Sequence, residues 1–167
     1  MTLSVSPQRA RIPQMGDQRT SPARIRLLWM LTLAMLFAAV DQWVKLSLTT
    51  PDWAYHHRSD VWFVGSCMLL VGAAALTLVP SRMVAIGAAL LAGGVLGNVL
   101  SASADGFDVP NPLYIGHNYG VAFNVADVLI LVGNVTLMLS LSAIVIRNRE
   151  RLDASRAAFS RAVREHF

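Results

Sequence analysis

The chain has 167 residues, of which 54% are hydrophobic and 14% are charged, and its mean hydropathy is +0.50. Ordinary soluble domains are about 45–50% apolar and about 25% charged, so this composition excludes a soluble globular protein and predicts a membrane protein of one domain. The net charge of +4 would point to nucleic-acid binding in a soluble chain. In a membrane protein the positions of the basic residues indicate topology instead, and no nucleic-acid partner is expected. The one cysteine, Cys67, excludes an intrachain disulfide and leaves no Cys/His set with metal-ligand spacing.

Four apolar runs are long enough to cross a bilayer as helices. The first is too long for a cleavable signal peptide, and no small-residue cleavage site follows it. The third is rich in glycine, which lets helices approach closely inside a membrane. The runs cover Leu27 to Leu46, Val61 to Val79, Met83 to about Ala102, and about Val121 to Ile146. The expected fold is therefore an all-α integral membrane protein with four transmembrane helices.

Basic residues predict how these spans are oriented. Five arginines precede the first span, Arg82 lies between the second and third, and six arginines follow the fourth. Twelve of the 14 basic residues therefore fall on one side of the membrane. By the positive-inside rule both termini are cytoplasmic, and residues 48–60 and 103–120 face the other side, which makes the segment between helices three and four an extracytoplasmic loop.

The ends of the chain differ in composition from its centre. Residues 1–24 are basic and rich in proline without an apolar period, which predicts a flexible N-terminal arm. Residues 25–146 form the membrane domain. Residues 147–167 predict a basic amphipathic cytoplasmic tail on an anionic leaflet, with a solvated helical tail as the alternative. Apolar residues recur there at nearly helical spacing, at Leu152, Phe159, Val163 and Phe167.

Ionisable residues inside membrane spans are costly and call for a reason. Asp41 and Lys45 are four apart on the first span, so they lie on one helix face and are expected to pair. Lys45 also lies near the end of the span, where snorkelling to the headgroups is the alternative. Asp127 has no partner within four residues on the fourth span, which predicts a partner from another segment.

The loop before the fourth span holds two further carboxylates, Asp105 and Asp108, together with His117. Two carboxylates held close together share a proton and act as acid and base on a water molecule. Asp108 and Asp127 are the candidate dyad. The alternative is that the loop aspartates only shape turns, and His117 is expected to be a loop residue rather than a base.

Three segments resemble one family, the lipoprotein signal peptidases (signal peptidase II), four-span aspartic endopeptidases of the bacterial cytoplasmic membrane. DQWVK at 41–45 is similar to the family's D-Q-x-x-K, and GGVLGN at 93–98 to its G-G-x-x-G-N. FNVAD at 123–127, followed by Gly133, is similar to its F-N-x-A-D-x-x-I-x-x-G, whose aspartate is one of two catalytic residues. The order, topology and length agree from about Leu27 to Ile146.

The chain departs from the family pattern after the second segment. The family usually continues with x-x-D-R, whereas Ser101 and Ala102 stand in those places. Forward counting from that segment puts Pro110 where the other catalytic aspartate is expected. Counting back from Asp127 gives Asp108, at a separation of 19 residues that is similar to the family's. Asp105 is the next candidate.

The resemblance implies an endopeptidase that cuts a diacylglyceryl-modified prolipoprotein before its lipidated cysteine. Asp127 and Asp108 would activate a water, and Asn98 and Asn124 would support the site or the substrate backbone. Asp41 and Lys45 would orient the first span. The implied partners are the prolipoprotein and membrane lipids, with no cofactor or metal, and the implied location is the bacterial cytoplasmic membrane with the active site on its outer side.

The residues leave two other functions open. A catalytically inactive relative that binds lipoproteins or acts as a scaffold is favoured by Ser101, Ala102 and Pro110. A small transporter would need polar residues through the full depth of the membrane, and the second and third spans offer almost none.

Overall fold

A computed structural model describes residues 22–116, 120–149 and 163. The predicted arm up to residue 21, His117 and almost all of the predicted tail lie outside the described residues. Residues 22–24, which the sequence assigned to the arm, form the first turn of a helix. Arg147, which it assigned to the tail, ends another.

Four α-helices account for most of the described residues, as the apolar runs predict. Helices α1, α3 and α4 are long and apolar enough to cross a membrane, whereas the apolar helix α2 is shorter, at 17 residues. The membrane class is therefore supported, and the four-span count and the orientation stay predictions. The helices are α1 (Pro22–Ser47), α2 (Asp60–Leu76), α3 (Arg82–Ala104) and α4 (Val125–Arg147).

Polar side chains set where three of the helices begin. Ser59 caps α2 by accepting a hydrogen bond from the backbone N–H of Trp62, and Ser81 caps α3 in the same way through Val84. Asn124 caps α4. Each cap satisfies one of the N–H groups that a helix start leaves without a partner, and this fixes the first turn.

The predicted all-helical fold needs correction in the two segments that join α1 to α2 and α3 to α4. Strand β1 (Tyr55–His57) pairs with β2 (Asp108–Pro110), and β3 (Leu113–Ile115) pairs with β4 (Val121–Phe123), both antiparallel. The fourth helix therefore begins four residues later than its apolar run. Short extended segments outside the helices satisfy their backbone groups by pairing with each other. Both strand pairs lie where α1 and α3 end and α2 and α4 begin, which we call the strand end of the bundle.

Helix α3 is the centre of the bundle and packs against α1, α2 and α4. Small residues permit this close packing. A Cβ added at Gly94 would collide with the carbonyl oxygen of Ala126 on α4, and one added at Gly97 would lie 2.6 Å from Oδ2 of Asp41 on α1. The glycine-rich segment of the third run thus brings α1 and α4 into contact with α3 at the strand end.

Candidate functional site

Buried polar side chains from α1, α3 and the segment between α3 and α4 meet at the strand end in one hydrogen-bonded network. Because a buried polar group without a partner is costly, such a set persists only when its members satisfy each other. The buried members are Asp41, Lys45, Asn98, Ser101, Asn111 and Asn124.

The predicted pair on α1 is present and buried. Nζ of Lys45 lies 2.7 Å from Oδ2 of Asp41 and donates further hydrogen bonds to Oδ1 of Asn98 at 2.9 Å and to Oγ of Ser101 at 3.1 Å. The three ammonium donors therefore have three acceptors. Lys45 points into the bundle, so the snorkelling alternative is wrong.

Ser101, at the place where the family usually has an aspartate, is part of this network as a neutral acceptor. It also accepts from Nε2 of Gln42 at 3.1 Å and donates to the backbone carbonyl of Gly97 at 3.2 Å. Ala102, at the family's arginine position, is buried. The aspartate and arginine of the family pattern are thus replaced by a serine and an alanine. Hydrogen bonds from Lys45 and Gln42 on α1 still reach α3.

Asn98 connects the ion pair to Asp127. Its Oδ1 accepts from Lys45 and, at 3.0 Å, from Nδ2 of Asn124, while its Nδ2 donates to Oδ1 of Asp127 at 3.1 Å. The partner predicted for Asp127 from another segment is therefore Asn98 of α3. The side chains of Asn98 and Asn124 both contact Asp127 or its helix cap, and their supporting role stays a prediction.

Asp127 also closes the first turn of α4. Its Oδ2 accepts from the backbone N–H of Asn124 at 3.2 Å, and Oδ1 of Asn124 accepts from the backbone N–H of Asp127 at 2.9 Å. This reciprocal arrangement is a capping box. The carboxylate is half-buried and held by two neutral donors.

Asp108 lies on β2 and bonds to a different partner. Its Oδ1 is 2.9 Å from Nδ1 of His57 on β1, with side chains 46% and 72% exposed respectively. The hydrogen bonds of Asp127 are made instead to Asn98 and Asn124. The candidate dyad is therefore not joined by a hydrogen bond between its members. Asp105 follows the last residue of α3 and is exposed.

Asn111 and His56 also belong to the network, although no sequence pattern points to them. Oδ1 of Asn111 accepts from Nδ2 of Asn124 at 2.6 Å, and Nδ2 of Asn111 lies 3.0 Å from Nδ1 of His56. Asn111 stands between Pro110 and Pro112 in a sequence that is typical of an exposed turn. Its full burial depends on the pairing of β1 with β2, which no local signal announces.

Within residues 22–116, 120–149 and 163, no group of three or more His, Cys, Asp or Glu side chains is placed to hold a metal ion. The chemistry of the network is that of one ion pair, several amides and one half-buried carboxylate.

The sequence and the fold are both similar to those of known membrane enzymes. The family model for signal peptidase (SPase) II matches residues 48–143, more than half of the chain. A bacterial membrane enzyme solved in meso at 2.3 Å has a similar fold, with a TM-score of 0.56, 14% identity, and coverage of 74% of this chain and 90% of that one. A second such enzyme, at 1.9 Å, gives a TM-score of 0.51 and 16% identity over 68% of this chain and 92% of that one. No curated protein matches. The chain belongs to the signal peptidase II family.

Proposed function

We propose that this protein is a lipoprotein signal peptidase-like aspartic endopeptidase that removes signal peptides from diacylglyceryl-modified prolipoproteins. One observation carries the proposal: the polar residues of all three matching segments meet at the strand end around the carboxylate of Asp127. Burying polar and charged side chains inside a membrane bundle costs free energy, and such residues typically mark a functional site.

Asp127 is the first member of the proposed catalytic pair. Nδ2 of Asn98 and the backbone N–H of Asn124 each donate to one of its oxygens, so its position is fixed while further lone pairs stay available. Taking a proton from a water molecule would generate the hydroxide that attacks the scissile carbonyl.

Asp108 is the second member. Its carboxylate is held by the exposed His57 and not by a buried partner, so the cost of breaking this contact is that of a surface interaction, roughly 0–1 kcal/mol. To form the dyad, the carboxylate of Asp108 must leave His57 and bind the water molecule that Asp127 also binds. One proton shared between the two carboxylates then supplies both the acid and the base.

The strand end is proposed to face the outer surface of the bacterial cytoplasmic membrane. Arg26 and Arg82 lie at the opposite end, at the start of α1 and of α3, where the positive-inside rule places the cytoplasm. At the strand end, Trp53 and Tyr114 stack edge-to-face with ring centroids 5.6 Å apart, and such rings are typical of the headgroup level. The acyl chains of the substrate would then enter sideways from the outer leaflet.

A second candidate function is binding of prolipoproteins without cleavage. The observation that favours it is the pairing of Asp108 with His57 at 2.9 Å, together with hydrogen bonds between Asp127 and the amide side chains of Asn98 and Asn124. A site with one carboxylate still holds a peptide through hydrogen bonds, but it lacks the acid–base pair.

Cleavage of a diacylglyceryl-modified prolipoprotein by the purified protein in lipid separates the two functions. The peptidase proposal expects cleavage by the wild type and none by Asp127→Asn or Asp108→Asn. Cleavage that survives Asp108→Asn overturns the assignment of the second carboxylate and moves it to Asp105. Binding without cleavage by the wild type, under conditions in which a standard family member cuts, selects the non-catalytic function.

A further inference from the structure

The amide groups of the polar network have a fixed direction. Oδ1 of Asn124 lies 2.9 Å from the backbone N–H of Asp127, and a backbone N–H only donates, so this side of the amide must be the carbonyl oxygen. The amide nitrogen of Asn124 then faces the other way. It lies 3.4 Å from the backbone carbonyl of Pro110, which only accepts, and the two backbone groups therefore agree on the orientation.

Asn111 takes its direction from Asn124. Since Nδ2 of Asn124 donates to Oδ1 of Asn111 at 2.6 Å, the amide nitrogen of Asn111 is left facing Nδ1 of His56 at 3.0 Å. An amide nitrogen donates and does not accept, so Nδ1 of His56 is the acceptor. A neutral imidazole carries its one proton on the other nitrogen, which places the proton of His56 on Nε2.

His57, the next residue on β1, has the opposite arrangement. Its Nδ1 lies 2.9 Å from a carboxylate oxygen of Asp108, and an ionised carboxylate only accepts, so Nδ1 of His57 carries a proton. Successive residues of a strand face opposite sides. His56 therefore points its Nδ1 at the buried network, while His57 is engaged by the carboxylate on β2.

We propose that His56 is a substrate-positioning residue whose Nε2–H donates a hydrogen bond to a backbone carbonyl of the bound prolipoprotein. His56 is exposed, and its ring joins, through Asn111 and Asn124, to the capping box that holds Asp127. A polypeptide offers carbonyl acceptors at every residue. The identity of the ligand rests on the proposed function, whereas the direction of the amide chain does not.

The tautomer is tested by ¹⁵N NMR of the imidazole nitrogens in the full chain in lipid, with the two signals assigned through His56→Gln and His57→Gln. The proposal expects an unprotonated Nδ1 and a protonated Nε2 on neutral His56, and a protonated Nδ1 on His57. Asn111→Asp replaces the donor that faces His56 with an acceptor and is expected to move a proton onto its Nδ1. A wild-type His56 protonated at Nδ1 overturns the proposal. This result comes from the wild-type protein, so it stands even if Asn111→Asp does not fold.

The positioning role is tested by KM and kcat, or by affinity if nothing is cut, for a diacylglyceryl-modified prolipoprotein. His56→Phe is expected to weaken binding roughly 3- to 10-fold through loss of one hydrogen bond, while Tyr55→Phe on the same strand leaves binding unchanged. Equal binding by His56→Phe and the wild type overturns the positioning role. A wild type that neither binds nor cuts overturns the proposed function together with the ligand of His56, and the tautomer still reports separately on the amide chain.

Discussion

The carboxylate of Asp41, near the end of α1, accepts a hydrogen bond from the backbone N–H of Ala126 in the first turn of α4 at 2.8 Å. The first N–H groups of a helix have no partner within it, and the helix dipole favours negative charge there. The other oxygen of Asp41 bonds to Lys45. A single buried carboxylate therefore joins two helices, and it also fixes the start of the helix that carries Asp127.

Lys45→Met is expected to destabilise the protein strongly. It removes the positive partner of a fully buried carboxylate and leaves Asp41 with an uncompensated charge, for a cost of about 3–5 kcal/mol. Unfolding in mixed micelles measures the change in the free energy of unfolding.

The matched control for this prediction is the double variant with Asp41→Asn and Lys45→Met. Lys45→Met leaves the charge of Asp41 unpaired, and Asp41→Asn removes that charge. The double variant is therefore expected to be more stable than Lys45→Met alone. A double variant that loses the sum of the two single costs would contradict the pairing.

Gly97→Ala is expected to separate α1 from α3 at the strand end. Its Cβ would lie 2.6 Å from Oδ2 of Asp41, which is held on two sides, so the helices must move apart at a cost of about 1–3 kcal/mol. Gly72→Ala on α2 is the control, since nothing lies within 4 Å of an added Cβ there, and it should stabilise the helix by about 0.5–1 kcal/mol. Equal melting temperatures for the two variants would argue against this packing.

Asn124→Ala is expected to cost more than the loss of an ordinary helix cap. Ser81→Ala removes the cap of α3 and should cost about 1 kcal/mol. Asn124→Ala removes the cap of α4 and also leaves Oδ1 of the buried Asn111 without its donor, which adds about 1–3 kcal/mol. Asn98 keeps Lys45 and Asp127 as partners. The comparison of the two unfolding free energies checks this, and similar costs would mean that water satisfies Oδ1 of Asn111.

Asp108→Asn is expected to separate activity from stability. The partner of Asp108 is an exposed histidine, so the free energy of unfolding should change by less than about 0.5 kcal/mol. Cleavage of prolipoprotein should fall by at least about 100-fold if the carboxylate takes part in acid–base catalysis. Unchanged cleavage would exclude Asp108 and direct the same measurement to Asp105→Asn.

Sequence patterns located the helices well because each depends on neighbouring residues. The pairing of Asp41 with Lys45 follows from a spacing of four on one helix. The loop between α3 and α4 was harder. The sequence predicts β2 and β3 only as loop and β4 as part of the fourth apolar run, because three-residue strands are stabilised by their pairing partners and not by their own periodicity.

The sequence by itself determined the membrane class, the helices, and the family-like segments around Asp41, Asn98 and Asp127, since hydropathy and motif spacing are written along the chain. Only the tertiary structure decided which polar groups share hydrogen bonds. Asn111 and His56 belong to the network, and Asp108 bonds to His57, because antiparallel pairing of β1 with β2 brings together residues about 50 positions apart. Partners at that separation are chosen by strand register and helix packing, which no local pattern records.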